Sequence, residues 1–320
     1  MYLSPRGSKD IKMLSQTFGV EIETSGLSRQ ECAEIVAGYF GTSRSHFGGM
    51  YDEWHCLDRK GRIWKFERDS SIQSTGSGVC EVVTPVLTYD DMADLQEVVR
   101  LLRRRGAKST PALGCGVHVH VGLDGHNAQS LRNLSNLMAS HEDLLVEALG
   151  IAYDRLNRYC RKSDAQFNKA VNTLKPTNLT ALGDLWYKFM AGSSATVDNC
   201  QHEHYNRSRY HMLNLHAVWF HKTIEFRMFQ FDNPADGKQN GLHAGKLKAF
   251  VQLALALSHK AKTMTRSSCA KVDYHENPRY AMRCWLLKLG FIGEEFATAR
   301  EVLTQKLSGD CSFKHGRRAA

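Results

Sequence analysis

The stretch GVHVHVG at residues 116–122 alternates valine with histidine, which is typical of a β-strand with one apolar and one polar face. Two other stretches alternate in the same way, FGVEIE at 18–23 and TIEFRMF at 223–229. In all three, ionisable side chains occupy the positions between the apolar ones. The pattern predicts strands with one face packed against helices and the other lined by charged groups.

The rest of the chain mixes helical and strand-like segments. Further strands are predicted at 62–72, 79–84 and 211–231, and helices at 28–40, 88–105, 127–149, 164–193, 240–259 and 277–290. Because these segments do not alternate as regular βαβ units, the order predicts an α+β fold with a mainly antiparallel sheet.

The domain organisation follows from the absence of an internal linker or repeat. We expect a loose N-terminal segment at 1–14, a single catalytic domain at 15–310 and a basic tail at 311–320. Within the catalytic domain, residues from about 127 to 200 form a helical middle segment.

The composition is that of a globular protein, with 320 residues of which 42% are hydrophobic. No stretch approaches the ~20 apolar residues of a membrane span, and the first residues lack the apolar core of a signal peptide. We therefore expect a soluble cytoplasmic protein without a membrane partner. The nine cysteines are scattered without a CxxC motif, which argues against a disulfide framework or a zinc finger.

The net charge of +9 and the pI of about 9.1 favour anionic partners or substrates. An acidic polymer or a nucleic acid is therefore an open alternative as a partner. The run at 103–105 is interpreted as the basic end of a helix, and Lys314, Arg317 and Arg318 as a solvated tail. A non-catalytic nucleic-acid-binding module would use this charge and would bind with steep salt dependence.

The polar faces of the three strands suggest a metal site. Residues two apart on a strand share a face, so the pairs are Glu21 with Glu23, His118 with His120, and Glu225 with Arg227. Adjacent carboxylates repel each other, and a divalent cation removes that repulsion. Carboxylates with imidazole suit Mg²⁺ or Mn²⁺, and the arginine supplies a fixed positive charge for a phosphate or a carboxylate.

Other polar residues lie close to these motifs in the sequence. Glu81 in CEVVTP is a candidate metal ligand, and Asp69 in FERDSS, beside Glu67, is a candidate for orienting or deprotonating an attacking amine. Three further residues are candidate substrate contacts: Arg158, Arg209 and Asn214.

A metal-dependent hydrolase is the alternative enzyme class. Its zinc would be bound by the HVH histidines with carboxylates and would activate water. The absence of an HExxH motif and the excess of acidic ligands argue against it. The segment CQHEH at 200–204 could also bind zinc, although its composition is more typical of a polar loop.

The motifs FGVEIE, EVVTP, GVHVHVG and TIEFR occur in an order that resembles the amidoligase family. That family belongs to the carboxylate–amine ligase superfamily, together with glutamine synthetase and glutamate–cysteine ligase. The resemblance extends over about residues 17 to 232. It implies a curved antiparallel sheet with helices on its outer face, similar to the catalytic domain of glutamine synthetase.

The resemblance also implies the chemistry. A small-molecule or peptide carboxylate would be phosphorylated by ATP with Mg²⁺ to an acyl phosphate, and an amine would then displace phosphate to form an amide or isopeptide bond. His120 would lie near the nucleotide phosphates, and Arg227 would hold the transferred phosphate or the substrate carboxylate. The implied metal ligands are Glu21, Glu23, Glu81, His118 and Glu225. Because no counterpart of the separate N-terminal domain of glutamine synthetase is recognised, the resemblance does not imply a dodecameric ring. The oligomeric state is left open.

Overall fold

The structure is a computed structural model that describes residues 12–233 and 241–315. Most of the predicted N-terminal segment, together with Arg317 and Arg318 of the predicted tail, lies outside the described residues. Within the described ranges, no helix has both the length and the apolar character needed to cross a bilayer.

One sheet contains eight strands in the order β2-β3-β4-β5-β1-β6-β8-β7. The pairs β1–β5, β2–β3, β3–β4, β4–β5 and β7–β8 are antiparallel. The strands are β1 (Phe18–Ser25), β2 (Arg44–Gly48), β3 (Glu53–Leu57), β4 (Ile63–Glu67), β5 (Val79–Val83), β6 (Val117–Gly122), β7 (Leu213–Asn214) and β8 (Thr223–Phe229). The prediction of an α+β fold with a mainly antiparallel sheet is confirmed.

The helices carry labels in chain order. They are α1 (Arg29–Phe40), α2 (Met92–Arg104), α3 (Ala128–Leu149), α4 (Tyr153–Arg158), α5 (Ala165–Leu174), α6 (Leu179–Met190), α7 (Val197–Cys200), α8 (His216–Phe220), α9 (Ala244–Thr263), α10 (Pro278–Leu289) and α11 (Ala297–Val302). Short 3₁₀ helices lie at Tyr89–Asp91, Pro111–Leu113, Arg207–Arg209 and Glu294–Phe296.

Contacts between Cα atoms divide the chain into two compact units. The strand-rich unit contains Thr17–Val119 and Met228–Phe250, and the helix-rich unit contains His120–Arg227 and Val251–Ala320 with the N-terminal residues through Gln16. The division falls inside β6 and β8, so the HVH and ExR motifs are each close to a boundary.

In the strand-rich unit, α1 covers one face of strands β2 to β5. The helix begins with a capping box in which Ser28 and Glu31 bond each other's backbone N–H groups, as the sequence predicts. Under it lies a row of apolar residues in cross-strand register, from Ile22 through Val82 and Phe66. Each is fully buried, which stabilises the fold by roughly 1.5–3 kcal/mol per side chain. Residues that alternate with this row must therefore point to the opposite face.

The helix-rich unit contains the helical middle segment, α3 to α7, and here one prediction is wrong. The segment 164–193 is not a single helix, because α5 ends at Leu174 and α6 begins at Leu179. Lys175 has a φ of 47°, and Pro176 has no N–H to continue the helix and restricts the residue before it. The segment 211–231, predicted as one or two strands, contains β7 and β8, and the short helix α8 between them was not predicted.

Candidate active site

Three glutamates from neighbouring strands lie side by side on the sheet face opposite α1. Glu81 on β5 pairs in register with Glu23 on β1 and with Glu67 on β4. Directly opposed residues in a sheet have Cβ atoms about 4.5–5.5 Å apart, and like charges at that distance destabilise the sheet. The arrangement therefore favours binding of protons or cations at this face.

Two groups of metal-ligand atoms share Glu81 in this unit. Glu21, Glu81 and His118 form one group, and Glu23, Asp69 and Glu81 form the other. Within each group, one ligand atom from each residue lies within 4.8 Å of the others. The structure thus brings together five residues that the sequence nominated from four separate segments.

The imidazole of His118 lies between two of these glutamates. Its Nδ1 is 2.8 Å from Oε2 of Glu21, and its Nε2 is 3.5 Å from Oε1 of Glu23. His118 is only 3% exposed, so the ring is fixed by its surroundings. The backbone N–H of Gly116 donates to Oε2 of Glu23 at 2.5 Å, which orients that carboxylate as well.

The pKa of Glu81 shows the electrostatic effect of placing several carboxylates on one sheet face. Burial raises the pKa of its carboxyl well above the usual value, and repulsion from Glu21, Glu23, Asp69 and Glu67 raises it further. Burial likewise raises the pKa of Glu67. A bound divalent cation would reverse this effect by favouring the ionised carboxylates.

Glu67 is a residue to which the sequence analysis gave no role. It was noticed only as a neighbour of Asp69, and its position beside Glu81 depends on the pairing of β4 with β5. The backbone N–H of Ser71 donates to Oδ1 of Asp69 at 2.6 Å, which holds that side chain at the turn after β4. No signal in the sequence fixes this register.

The donor set fits a hard divalent cation. Each group offers two carboxylates with a third carboxylate or an imidazole, which are ligands typical of Mg²⁺ or Mn²⁺. All nine cysteines are free thiols, and none belongs to either group. Among residues 12–233 and 241–315, no group of potential ligands includes the CQHEH segment, whose three ionisable residues at 202–204 are exposed.

In the helix-rich unit, Glu225 on β8 is 2% exposed and is held by two hydrogen bonds. Arg227 Nη1 donates to its Oε1 at 2.5 Å, and Asn214 Nδ2 donates to its Oε2 at 2.5 Å. His120 Nε2 lies 3.9 Å from Oε1, and its Nδ1 is 3.0 Å from the hydroxyl of Thr223. Donors to both oxygens fix the plane of the carboxylate.

The orientation of Asn214 is set by its other hydrogen bond. The backbone N–H of His216 donates to Oδ1 at 2.9 Å, so the amide nitrogen must face Glu225. Asn214 is 2% exposed and pairs in register with Glu225 across β7 and β8. The structure therefore places this predicted substrate contact against a carboxylate of the protein.

Arg227 is also fixed from several sides. Its Nε donates to the carbonyl of Tyr159 at 3.4 Å, and Arg155 Nη2 donates to the carbonyl of Arg227 at 3.0 Å. Arg155 is 6% exposed, and the sequence analysis missed it because it did not predict α4. The predicted Arg158 lies one turn later on that helix and is exposed.

Arg209, the remaining predicted substrate contact, is half-buried. Its Nη1 donates to the carbonyl of His204 at 2.8 Å, and its guanidinium carbon lies 5.8 Å from the ring centres of Tyr205 and Tyr210. The ring of Tyr210 is in turn 5.7 Å from the guanidinium carbon of Arg227. The two arginines therefore contact the same tyrosine.

Comparison with known proteins assigns the chain to a family. No curated protein matches the chain. A solved bifunctional glutathione synthetase from Pasteurella multocida is 11% identical, with a TM-score of 0.45. The match covers 94% of this chain and 48% of that structure, so the chain spans about half its length. The family model described as "Putative amidoligase enzyme" matches residues 14–258, which is most of the chain. The chain thus belongs to the amidoligase family, whose description supports a ligase function.

Proposed function

We propose that this protein is an ATP- and Mg²⁺-dependent ligase that joins a carboxylate to an amine through an acyl phosphate. The observation that carries the proposal is the pair of ligand groups sharing Glu81 on one sheet face, in a member of the amidoligase family. A ligase that uses ATP must neutralise the charge of the phosphates, and clustered carboxylates are the means of holding the cation that does so.

The residues proposed to hold Mg²⁺ or Mn²⁺ in the strand-rich unit are Glu21, Glu23, Glu81 and His118. A bound cation would relieve the repulsion that raises the pKa of Glu81 and would stabilise charge on the phosphoryl oxygens. Glu225 is proposed as a further metal ligand, and its two hydrogen bonds keep its carboxylate in one orientation.

The proposed reaction has two steps. An oxygen of the substrate carboxylate bonds to the γ-phosphorus of ATP while the bond to ADP breaks. The amine nitrogen then bonds to the acyl carbon, and phosphate departs with the electrons of the broken C–O bond. Asp69 would accept the proton that the amine loses.

Two basic residues would act on the phosphoryl group. Arg227 would hold the transferred phosphate or the substrate carboxylate, because its guanidinium is fixed by Glu225 and the Tyr159 carbonyl. His120 would contact the nucleotide phosphates, and Thr223 orients its ring.

The test is ATP-dependent phosphate release with Mg²⁺, screened over pairs of carboxylates and amines. Glu23→Gln and Glu225→Gln should each lower turnover by at least about 100-fold, since each removes a proposed ligand charge. Glu34→Gln is the matched control, because Glu34 is an exposed glutamate on α1 outside both groups.

Two results would reject the proposal. Full turnover in either glutamine variant would remove the metal assignment. Amide hydrolysis without ATP, by protein that purifies with bound zinc, would favour the hydrolase instead.

A further inference from the structure

Arg161 and Arg209 lie beside Tyr210 at the surface of the helix-rich unit. Arg207 lies two residues before Arg209, and its Nη2 is close to Gly192. We define Arg161, Arg207 and Arg209 as the arginine patch. The first two are exposed and the third is half-buried. The segments that carry them run side by side, because the N–H of Arg161 donates to the Tyr210 carbonyl at 3.0 Å and the N–H of Met212 donates to the Arg161 carbonyl at 2.8 Å.

Neutral acceptors orient two guanidinium groups of the patch, those of Arg161 and Arg209. Arg161 donates from Nε to the Tyr210 carbonyl at 3.3 Å and from Nη2 to the Arg207 carbonyl at 3.2 Å. Arg209 donates to the His204 carbonyl. These carbonyls hold the side chains in place without cancelling their charge.

The arginine patch has no ion-paired carboxylate among residues 12–233 and 241–315. Lys162, next to the patch, pairs with Asp143, whereas no residue of the described ranges forms an ion pair with Arg161, Arg207 or Arg209. Burial lowers the pKa of His211 to about 4, with Arg161 contributing, and burial lowers that of His216 to about 4, with Arg209 contributing. Both histidines are therefore neutral at pH 7, and the patch carries about three positive charges.

Tyr210 connects the patch to the buried Glu225–Arg227 pair. Its ring lies 5.8 Å from the guanidinium carbon of Arg209 and 5.7 Å from that of Arg227. The ring of Tyr159, whose carbonyl accepts from Arg227, meets Tyr210 edge-on at 6.4 Å. The Tyr210 ring therefore contacts both Arg209 of the patch and the buried Arg227.

We propose that the arginine patch binds the non-reacting carboxylates of an acidic substrate, while Arg227 holds the carboxylate that reacts. The substrate class is a compound or short peptide with at least two carboxylates beyond the reacting one. The assignment to a substrate rests on the proposed function, since the ligase reaction requires a carboxylate. Guanidinium groups bind carboxylates through two parallel hydrogen bonds, and Arg161 and Arg209 have N–H groups beyond those that bond the carbonyls.

Nucleic acid fits this surface less well. Proteins that bind single strands stack bases on exposed aromatic faces. Here the Tyr205 ring already stacks on His204 at 4.5 Å and contacts Arg209, and the Tyr210 ring contacts two arginines. Tyr205 is 63% exposed, whereas Tyr210 is half-buried, so the patch does not present a run of open rings for successive bases.

The experiment measures binding of tri-glutamate by calorimetry, with tri-glutamine as the probe of the same length that lacks the side-chain carboxylates. The wild type should bind tri-glutamate at least about tenfold more tightly than tri-glutamine, which lacks the side-chain carboxylates. The variant Arg207→Gln/Arg209→Gln should bind tri-glutamate at least about tenfold more weakly, because charge-assisted hydrogen bonds are lost. Arg266→Gln, an exposed arginine outside the patch, is the control and should bind as the wild type does.

The single variant Arg207→Gln guards against misfolding, because the fold uses only the backbone carbonyl of Arg207 in these contacts. It should weaken binding about threefold or more with an unchanged thermal unfolding temperature. Unchanged affinity in both variants, or no binding of tri-glutamate to the wild type, would overturn the proposal.

Two further titrations separate the possible anions. If the double variant loses affinity for MgATP as strongly as for tri-glutamate, the patch is a phosphate site and the proposal is wrong. Tighter binding of a duplex DNA oligonucleotide than of tri-glutamate, with the same loss in the variant, would identify a polyanion surface and would also overturn it. None of these titrations requires turnover, so a failure of the ligase reaction would leave the binding result interpretable.

Discussion

At the scale of single residues, Glu81 shows that clustering carboxylates at the candidate site costs folding stability when they are ionised. It lies between Glu23 and Glu67 in cross-strand register, and burial together with four neighbouring carboxylates raises its pKa. The sequence placed Glu81 on the predicted strand 79–84 as a candidate metal ligand. It could not show that two other strands would bring glutamates to the same level of the sheet, because that depends on strand order.

The raised pKa of Glu81 predicts a pH dependence of stability. Between the unfolded and folded pKa values the native state binds the proton more tightly, so the metal-free protein should lose stability as pH rises through this range. The variant Glu81→Gln should lose less over the same interval, and thermal unfolding from pH 4 to 8 measures the difference. Millimolar Mg²⁺ should stabilise the wild type at pH 7 and the variant less. Parallel curves for the two proteins would contradict the prediction.

Asn214 predicts a second effect of a single residue. The change Asn214→Ala removes a buried hydrogen bond to the Glu225 carboxylate and should reduce the free energy of unfolding by about 1.5–3 kcal/mol. Asn214→Asp instead places a carboxylate against Glu225 and should destabilise more at pH 8 than at pH 5, because two adjacent carboxylates repel when both are ionised. Urea unfolding at the two pH values measures this. Equal destabilisation of the aspartate variant relative to the wild type at both pH values would contradict the role assigned to Asn214.

At the scale of elements, a helix or strand was predicted correctly when its sequence signal lay within a few neighbouring residues. Helix α1 was predicted closely, because its Ser28 and Glu31 capping box is a signal three residues long. The strand alternation of FGVEIE and GVHVHVG was equally local. The break at Lys175 and Pro176 was also present in the sequence, and the prediction across 164–193 gave the proline too little weight. Helix α4 has only six residues, and such a short element gives almost no periodic signal.

Helix α4 carries one buried and one exposed arginine, and the pair provides a matched test of what the buried arginine contributes to stability. Arg155 and Arg158 lie three residues apart, and only Arg155 is buried, where it donates to the carbonyl of Arg227 on β8. Arg155→Met should reduce the free energy of unfolding by about 2–4 kcal/mol, because it removes a buried charge-assisted bond. Arg158→Met should change it by no more than about 0.5 kcal/mol. Similar effects of both changes in urea unfolding would show that α4 does not anchor β8 through Arg155.

At the scale of the whole molecule, the sequence determined the fold class, the family and, within each predicted strand, which residues share a face. It did so because alternation within a strand depends only on backbone geometry, which makes neighbouring side chains point to opposite faces. The tertiary structure alone decided which of these residues meet. Strand register placed Glu67 beside Glu81, and burial set Asn214 against Glu225 and Arg155 against β8. The same structure left the arginine patch without carboxylate partners among the described residues. These contacts join residues far apart in the chain, and their formation depends on packing that no local pattern encodes.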